Sequence, residues 1–371
     1  MKKFAKMSLV AAFAVAGLTS TASAGSLEEA IKGVNISGDV SYRLEKVTNT
    51  STGGDSEAQH DIDYSVNFSV PVNDNVTANL RAVEAYDDDT SDDDGVANAS
   101  AIGISVDRAF FTYANNGLTV NAGLTSMPLS DGVRADGITV AKSFNGIDLS
   151  AGYFYSNDET EAADVYFVTA SGSIDALSYY ATYGKVTDAD AADDNTADIT
   201  DLDKVLYQVG LSANLDPVTV AVDYSSNDAD SITAGKQTQY KVSVSGTLGA
   251  VNLSAAYAAN GADGGKTLID GSDAAASNIS IGGIELEDED DASAYLLSAS
   301  TALGDKGTAK VRYAASKNNA ADSDLTVLRV NYDYAMSSNF TLGLEYTVNT
   351  DEDAAATDNK TDYVMSAKYT F

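Results

Sequence analysis

The sequence predicts an all-β fold, a transmembrane antiparallel β-barrel with short turns at one rim and long loops at the other. Three observations predict it. Apolar and polar residues alternate in stretch after stretch, as in "DIDYSVNFSV", where Ile62, Tyr64, Val66, Phe68 and Val70 oppose Asp61, Asp63, Ser65, Asn67 and Ser69. Such period-2 alternation marks a strand with two unlike faces. The connections between these stretches alternate between short and long, as in a barrel whose hairpins all turn on one side of a membrane. Beyond residue 25 no apolar run approaches the length of a membrane-spanning helix.

The opening "MKKFAKMSLVAAFAVAGLTSTASA" has Lys2, Lys3 and Lys6, then an apolar stretch from Met7 to Leu18, then Ala22-Ser23-Ala24. This is the anatomy of a secretory signal peptide over 1–24, cleaved before Gly25. Its apolar part is too short to anchor in a bilayer. Residues 25–371 then form a single barrel domain. An exported barrel belongs in the bacterial outer membrane, with the lipids of that membrane as its first partner.

Taken in order, the strands are expected at 34–47, 60–70, 76–86, 104–113, 118–125, 137–144, 147–156, 164–172 and 176–184. They continue at 204–215, 218–226, 237–248, 251–259, 292–303, 308–316, 324–334, 340–348 and 361–371. "ISGDVSYRL" sets the pattern for the first, with Ile36, Val40, Tyr42 and Leu44 on one face and Ser37, Asp39, Ser41 and Arg43 on the other. The count is eighteen. Sixteen is the alternative, because 118–125, 137–144 and 164–172 alternate most weakly and strands leave an up-and-down barrel in pairs. Short periplasmic turns such as "NG" at 145–146 and "GDKG" at 304–307 carry residues that accept positive φ. Pro71, Pro128 and Pro217 fall in connections, where a missing N–H breaks no ladder.

Tyrosines cluster toward strand ends (Tyr153, Tyr155, Tyr183, Tyr224, Tyr257, Tyr313 and Tyr346 toward the long loops), as two interfacial aromatic belts require. The last strand, "DYVMSAKYTF", runs into Phe371 through alternate apolar residues. That pattern resembles the C-terminal signal of outer-membrane proteins, which implies the barrel assembly machinery as a partner acting through Phe371.

Composition excludes several classes of function. There is no Cys and a single histidine, His60, so neither a thiolate metal site nor a histidine-based triad can be built, and no enzyme is expected. A formal net charge of −33 repels nucleic acid. The long extracellular loops hold dense acidic runs, notably "DDDTSDDDG" at 87–95. Asp87, Asp88, Asp89, Asp92, Asp93 and Asp94 are candidate weak ligands for Ca²⁺ or Mg²⁺ through flexible oxygen coordination. They do not follow the EF-hand spacing, solvated charge is the commoner reading, and no cofactor is required.

An eighteen-stranded barrel is too wide for side chains to fill, so the polar faces line a lumen. Arg43, Arg81, Arg108, Arg312 and Arg329 fall on the lumen face of strands that are continuous once the first pairs with the last. They are expected to form a basic wall near mid-height. Asp39, Asp61, Asp63 and Glu345 are the acidic lumen residues that could pair with it. The loop at 126–136, "SMPLSDGVRAD", is the candidate constriction, with Asp131, Arg134 and Asp136 facing the arginines. Such a transverse arrangement filters by charge.

Residues 26–45, "SLEEAIKGVNISGDVSYRLE", resemble the mature start of the major outer membrane porins of the Campylobacter and Arcobacter group. The resemblance implies a homotrimer of eighteen-stranded water-filled channels, each narrowed by an inward loop and preferring cations. The expected function is therefore passive diffusion of ions and small hydrophilic solutes. An anionic mouth would give a weak cation preference. The alternative is a surface adhesin or structural barrel whose acidic loops bind partners or divalent cations.

Overall fold

Eighteen strands close on themselves in a computed structural model, which describes residues 33–49, 56–85, 103–130, 134–155, 163–188, 204–229, 236–265, 284, 286, 290–319, 323–351 and 359–371. The strands are β1 (Asn35–Asn49), β2 (Ser56–Asn73), β3 (Val76–Ala85), β4 (Gly103–Asn115), β5 (Leu118–Ser126), β6 (Arg134–Phe144), β7 (Ile147–Tyr155), β8 (Ala163–Ile174) and β9 (Leu177–Asp188). Then come β10 (Lys204–Asn214), β11 (Val218–Ala229), β12 (Gln237–Leu248), β13 (Val251–Asn260), β14 (Ala292–Leu303), β15 (Gly307–Asn318), β16 (Ser323–Ala335), β17 (Phe340–Asp351) and β18 (Lys360–Thr370). Each pairs antiparallel with its chain neighbours, and β18 pairs with β1 to close the ring.

Closure is what makes an unfilled sheet viable in lipid, because every strand edge finds a partner. The seam shows this directly. Gly38 and Phe371 exchange two backbone hydrogen bonds of 2.9 and 3.0 Å, so Phe371 extends the last ladder by one pair. Its ring packs on Tyr369 at 6.1 Å.

The alternation read in the sequence becomes inside and outside. Leu44, Val140, Val209, Val242, Leu297 and Leu344 lie on the outer face and are 40–51% exposed, where a soluble protein would bury them. A continuous apolar outer face of this kind is a lipid surface. The inner face is polar, and buried apolar residues gather in two small clusters on the lumen wall instead of one central core. The ladder between β3 and β4 carries an irregularity that reaches the lumen. Arg81 pairs with Arg108 but Ala82 pairs with Val106, so Asp107 is the extra residue of a bulge in β4.

Candidate functional site: the lumen

Lumen-facing residues on β15–β18 and β1–β4 carry most of the charge, and the structure pairs it locally. Arg329 Nε lies 3.2 Å from Glu345 Oε1 and donates to Thr347 Oγ1 at 3.0 Å. Arg312 donates to Asn331 Oδ1 at 3.1 Å, and Asn331 Nδ2 donates to Glu345 Oε2 at 2.5 Å. Arg312 and Arg329 face one another in the β15–β16 register. Two like charges directly opposite repel, and Glu345 with Asn331 supplies the acceptors that hold them side by side. Arg43 bonds Glu45 at 2.6 Å, although its register partner on β2 is Asp61. Arg43, Arg329 and Glu345 line one recess of about 400 Å³ in the wall. Lower on the same wall Lys368 reaches Asp39 at 3.3 Å, and Asp39 also accepts from Ser65 Oγ at 2.9 Å.

On the other side of the seam the bulge provides the bridge. Asp107 Oδ2 stands 3.2 Å from Arg81 and 3.4 Å from Arg134 Nε. Arg108 forms no ion pair among the described residues. Strict alternation would turn Asp107 toward lipid together with Ala109 and Phe111. A carboxylate there is expensive, and the extra residue rotates it into reach of two guanidiniums. Sequence reasoning missed Asp107 because it assumed an unbroken period. The signal was available, since a lone Asp at an outward position in mid-strand marks either a bulge or a misread face.

Asp61, Asp63 and Glu84 bring carboxylate oxygens within 4.8 Å of one another above this band. A polar ladder lies below it. Ser69 donates to Asn79 at 3.2 Å, Asn79 to Thr112 at 3.0 Å, Thr112 to Asn121 at 2.8 Å and Asn121 to Thr139 at 3.3 Å, crossing β2 to β6.

The inward loop is present and shorter than the sequence implied. Backbone pairing of Thr125 with Ala135 and Ser126 with Arg134 extends both flanking strands, leaving 127–133 as the connection. Met127 and Leu129 are buried in it against Phe154, Val165, Phe167, Val186 and Leu206, all on the lumen face of β7–β10. Leu129 has φ 68°. A non-glycine residue in that left-handed region costs of order 1–3 kcal/mol and persists only where packing demands it. Here Leu129 Cδ1 occupies the space a Cβ on Gly184 would need. Asp131 lies outside the described residues, as do Asp87, Asp88, Asp89, Asp92, Asp93 and Asp94. Arg134 is the first residue of β6, not a loop residue, yet it still reaches the arginine cluster through Asp107. Asp136 requires a correction. It pairs with Leu124 and Tyr155 and shares the outer face with Ile138, so it does not face the arginines across the pore. The cause is the early start of β6, which draws Asp136 into regular alternation.

A second inward segment was not legible in the sequence. Ile284 and Leu286, from the connection between β13 and β14, are 1% exposed and pack on Ala258, Ala294, Ala314 and Val327 of the lumen wall. Asn260 Nδ2 donates to the Leu286 carbonyl, and Gln239 donates to Asn260 at 3.0 Å. The acidic run "ELEDEDD" dominates the reading of this connection, while the clue is the pair of apolar residues on either side of Glu285.

A closed barrel with a polar, partly obstructed lumen is the architecture of a channel. Residues 9–355 match the family model described as Gram-negative porin. The chain belongs to the Gram-negative porins. Its place is the bacterial outer membrane, and its family is one of channels. Among solved structures it is similar to Pseudomonas aeruginosa OccK9 (OpdG), at 13% identity over 92% of this chain and 99% of that one, with a TM-score of 0.65. It is also similar to Acinetobacter baumannii OccAB4, at 12% identity over 91% and 98%, with a TM-score of 0.65. An anion-selective porin from Comamonas acidovorans aligns at 15% identity over 91% and 99%, with a TM-score of 0.53. At these identities the likeness is one of fold. No curated protein matches by sequence.

Proposed function

We propose that this porin forms a water-filled channel with a weak preference for cations, through which ions and small hydrophilic solutes diffuse passively. The observation that carries this reading is the compensation of the arginine band. Arg43, Arg329 and the Arg81–Arg134 pair each hold a carboxylate at 2.6–3.4 Å. Three carboxylates thus offset these four cations in large part, and the chain's net charge of −33 with the Asp61, Asp63 and Glu84 group sets the sign of the field at the entrance. Reversal potential across a KCl gradient in planar bilayers tests it: a cation-positive value is expected, and an anion-selective channel overturns it. The resemblance of residues 26–45 to the Campylobacter and Arcobacter porins agrees with this selectivity.

The same reading includes assembly as a homotrimer and insertion through the barrel assembly machinery. Cross-strand tyrosine pairs with centroids 5.0–6.1 Å apart decorate the outer face at Tyr153–Tyr166, Tyr183–Tyr207, Tyr240–Tyr257, Tyr295–Tyr313 and Tyr346–Tyr363. On β1–β6, Ala78, Ala82, Ala109 and Ala122 put small side chains on the outer face. Small residues allow close approach of a neighbouring barrel. Native mass measurement in mild detergent is expected to give three copies, and a monomer excludes this assembly.

A further inference from the structure

We infer that the lumen wall of β7–β11 holds a docking basin for an uncharged polyhydroxylated solute, of the chemical class of an oligosaccharide, built around Tyr180. This deepens the channel reading above and rests on it.

The basin is a recess of about 430 Å³ on the turn side of the inward loop. Phe167, Val186 and Leu206 anchor that loop. One row further toward the turns, Thr169 and Thr182 share a hydrogen bond of 3.0 Å, and the next row opens into the recess. Its lumen-facing lining is Asp148, Ser171, Ser178, Tyr180, Ser212 and Asp223. A solute leaving the constriction on this side meets the recess directly.

Tyr180 is held in an unusual posture. Its hydroxyl donates to Asp223 Oδ1 at 3.0 Å, across the whole width of β10. Gly210 stands between them in register, and a Cβ there would collide with the ring edge of Tyr180. The ring therefore reaches across β10 through the space that Gly210 leaves open and is held there by its bond to Asp223. A flat aromatic face beside fixed hydroxyls and carboxylates is the chemistry that takes the C–H face and the hydroxyl edge of a sugar.

The charge pattern selects against an ion. Asp223 already accepts from Tyr180 and faces Lys241 in register. Asp148 already accepts from Ser143. Each carboxylate keeps lone pairs for a neutral donor, and neither is left as a naked anionic site. Among the described residues no arginine lines the recess. Of the two tyrosines at the recess, Tyr179 and Tyr180, only Tyr180 is on the lumen face, so the basin is a single station and not a track.

The test is occlusion of KCl current through reconstituted wild-type protein by maltotriose, with a polyethylene glycol of matched hydrodynamic size as the non-recognised probe. Block is expressed relative to each variant's own open current. Wild type is expected to show saturable block by maltotriose and only size-dependent reduction by the polymer. Tyr180→Ala should raise the half-blocking concentration about tenfold or more, the size of one lost hydrogen-bonded contact. Gly210→Ala, which keeps the tyrosine and displaces its ring, should raise it by a smaller factor. Equal effects of both probes, an unchanged half-blocking concentration in Tyr180→Ala, or saturable block by spermidine in place of maltotriose overturns the inference. A protein that carries no KCl current overturns the channel itself and the basin with it.

Discussion

Two walls of one barrel have been built to different rules. From β15 through the seam to β4 the lumen is ionic, with Arg43, Arg81, Arg312 and Arg329 each bonded to a carboxylate or an amide and Arg108 beside them. From β7 to β14 it is nearly uncharged. Serine, threonine and glycine fill the turn side, and two apolar patches toward the loops, one on β7–β10 and one spanning β13–β16, hold the inward segments. The difference teaches that selectivity and bore are set by separate parts. Ion pairs tune the sign of the field, whereas hydrophobic anchors on the opposite side set how much of the lumen stays open. An exposed ion pair adds little stability, about 0–1 kcal/mol, so the charged wall can be retuned without endangering the barrel. The anchors contribute more, because burying a leucine is worth about 1.5–3 kcal/mol.

The largest effect is expected from the neutral wall. Gly184→Ala places a methyl where Leu129 packs and should drive the constriction loop off β7–β10. Single-channel conductance should rise severalfold, because inserting a methyl into a packed contact typically costs about 1–3 kcal/mol and weakens the hold on the loop. Unchanged conductance together with unchanged solute cut-off would mean that the loop does not govern the bore. Leu286→Ser at the second anchor should raise conductance less, because Ile284 still holds that segment. Liposome swelling with graded sugars measures both.

Next in size are changes to the charged wall. Asp107→Asn leaves Arg81 and Arg134 without their shared carboxylate. Reversal potential in a KCl gradient should move toward anions, most strongly at low salt, where a Debye length of roughly 30 Å at 0.01 M leaves lumen charges unscreened. The triple change of Arg43, Arg81 and Arg108 to Ser should move it the other way and raise conductance modestly. If both variants shift in the same direction, these side chains do not share one field.

The smallest electrical effect is expected at the seam. Phe371→Ser removes a ring from the outer face and should lower outer-membrane yield, while barrels that do assemble conduct normally. Equal yields measured by outer-membrane fractionation would count against a role in assembly.

Much of the fold was legible from alternation alone. All eighteen strands lie where period 2 placed them, since a strand between lipid and water must present one apolar and one polar face whatever its neighbours are. The weak strands at 118–125, 137–144 and 164–172 are real, and the sixteen-stranded alternative falls. Arg43, Arg81, Arg108, Arg312 and Arg329 share the lumen for the same reason. Asp107 was missed and Asp136 misplaced because a bulge and an early strand start change the face of a residue without changing local composition.

What the sequence by itself determined is the set of local, periodic properties: which segments are strands, which face of each meets lipid, and where turns fall. These properties depend on the solvent each residue meets and need no knowledge of distant partners. Only the tertiary structure decided which carboxylate answers which arginine, that Leu129 seats over Gly184, that Ile284 and Leu286 fold inward, and that Tyr180 reaches across Gly210 to Asp223. Each of these joins residues that ring closure brings together from separate strands. Contacts of that kind depend on register and on missing side-chain volume, and neither is written in any one strand.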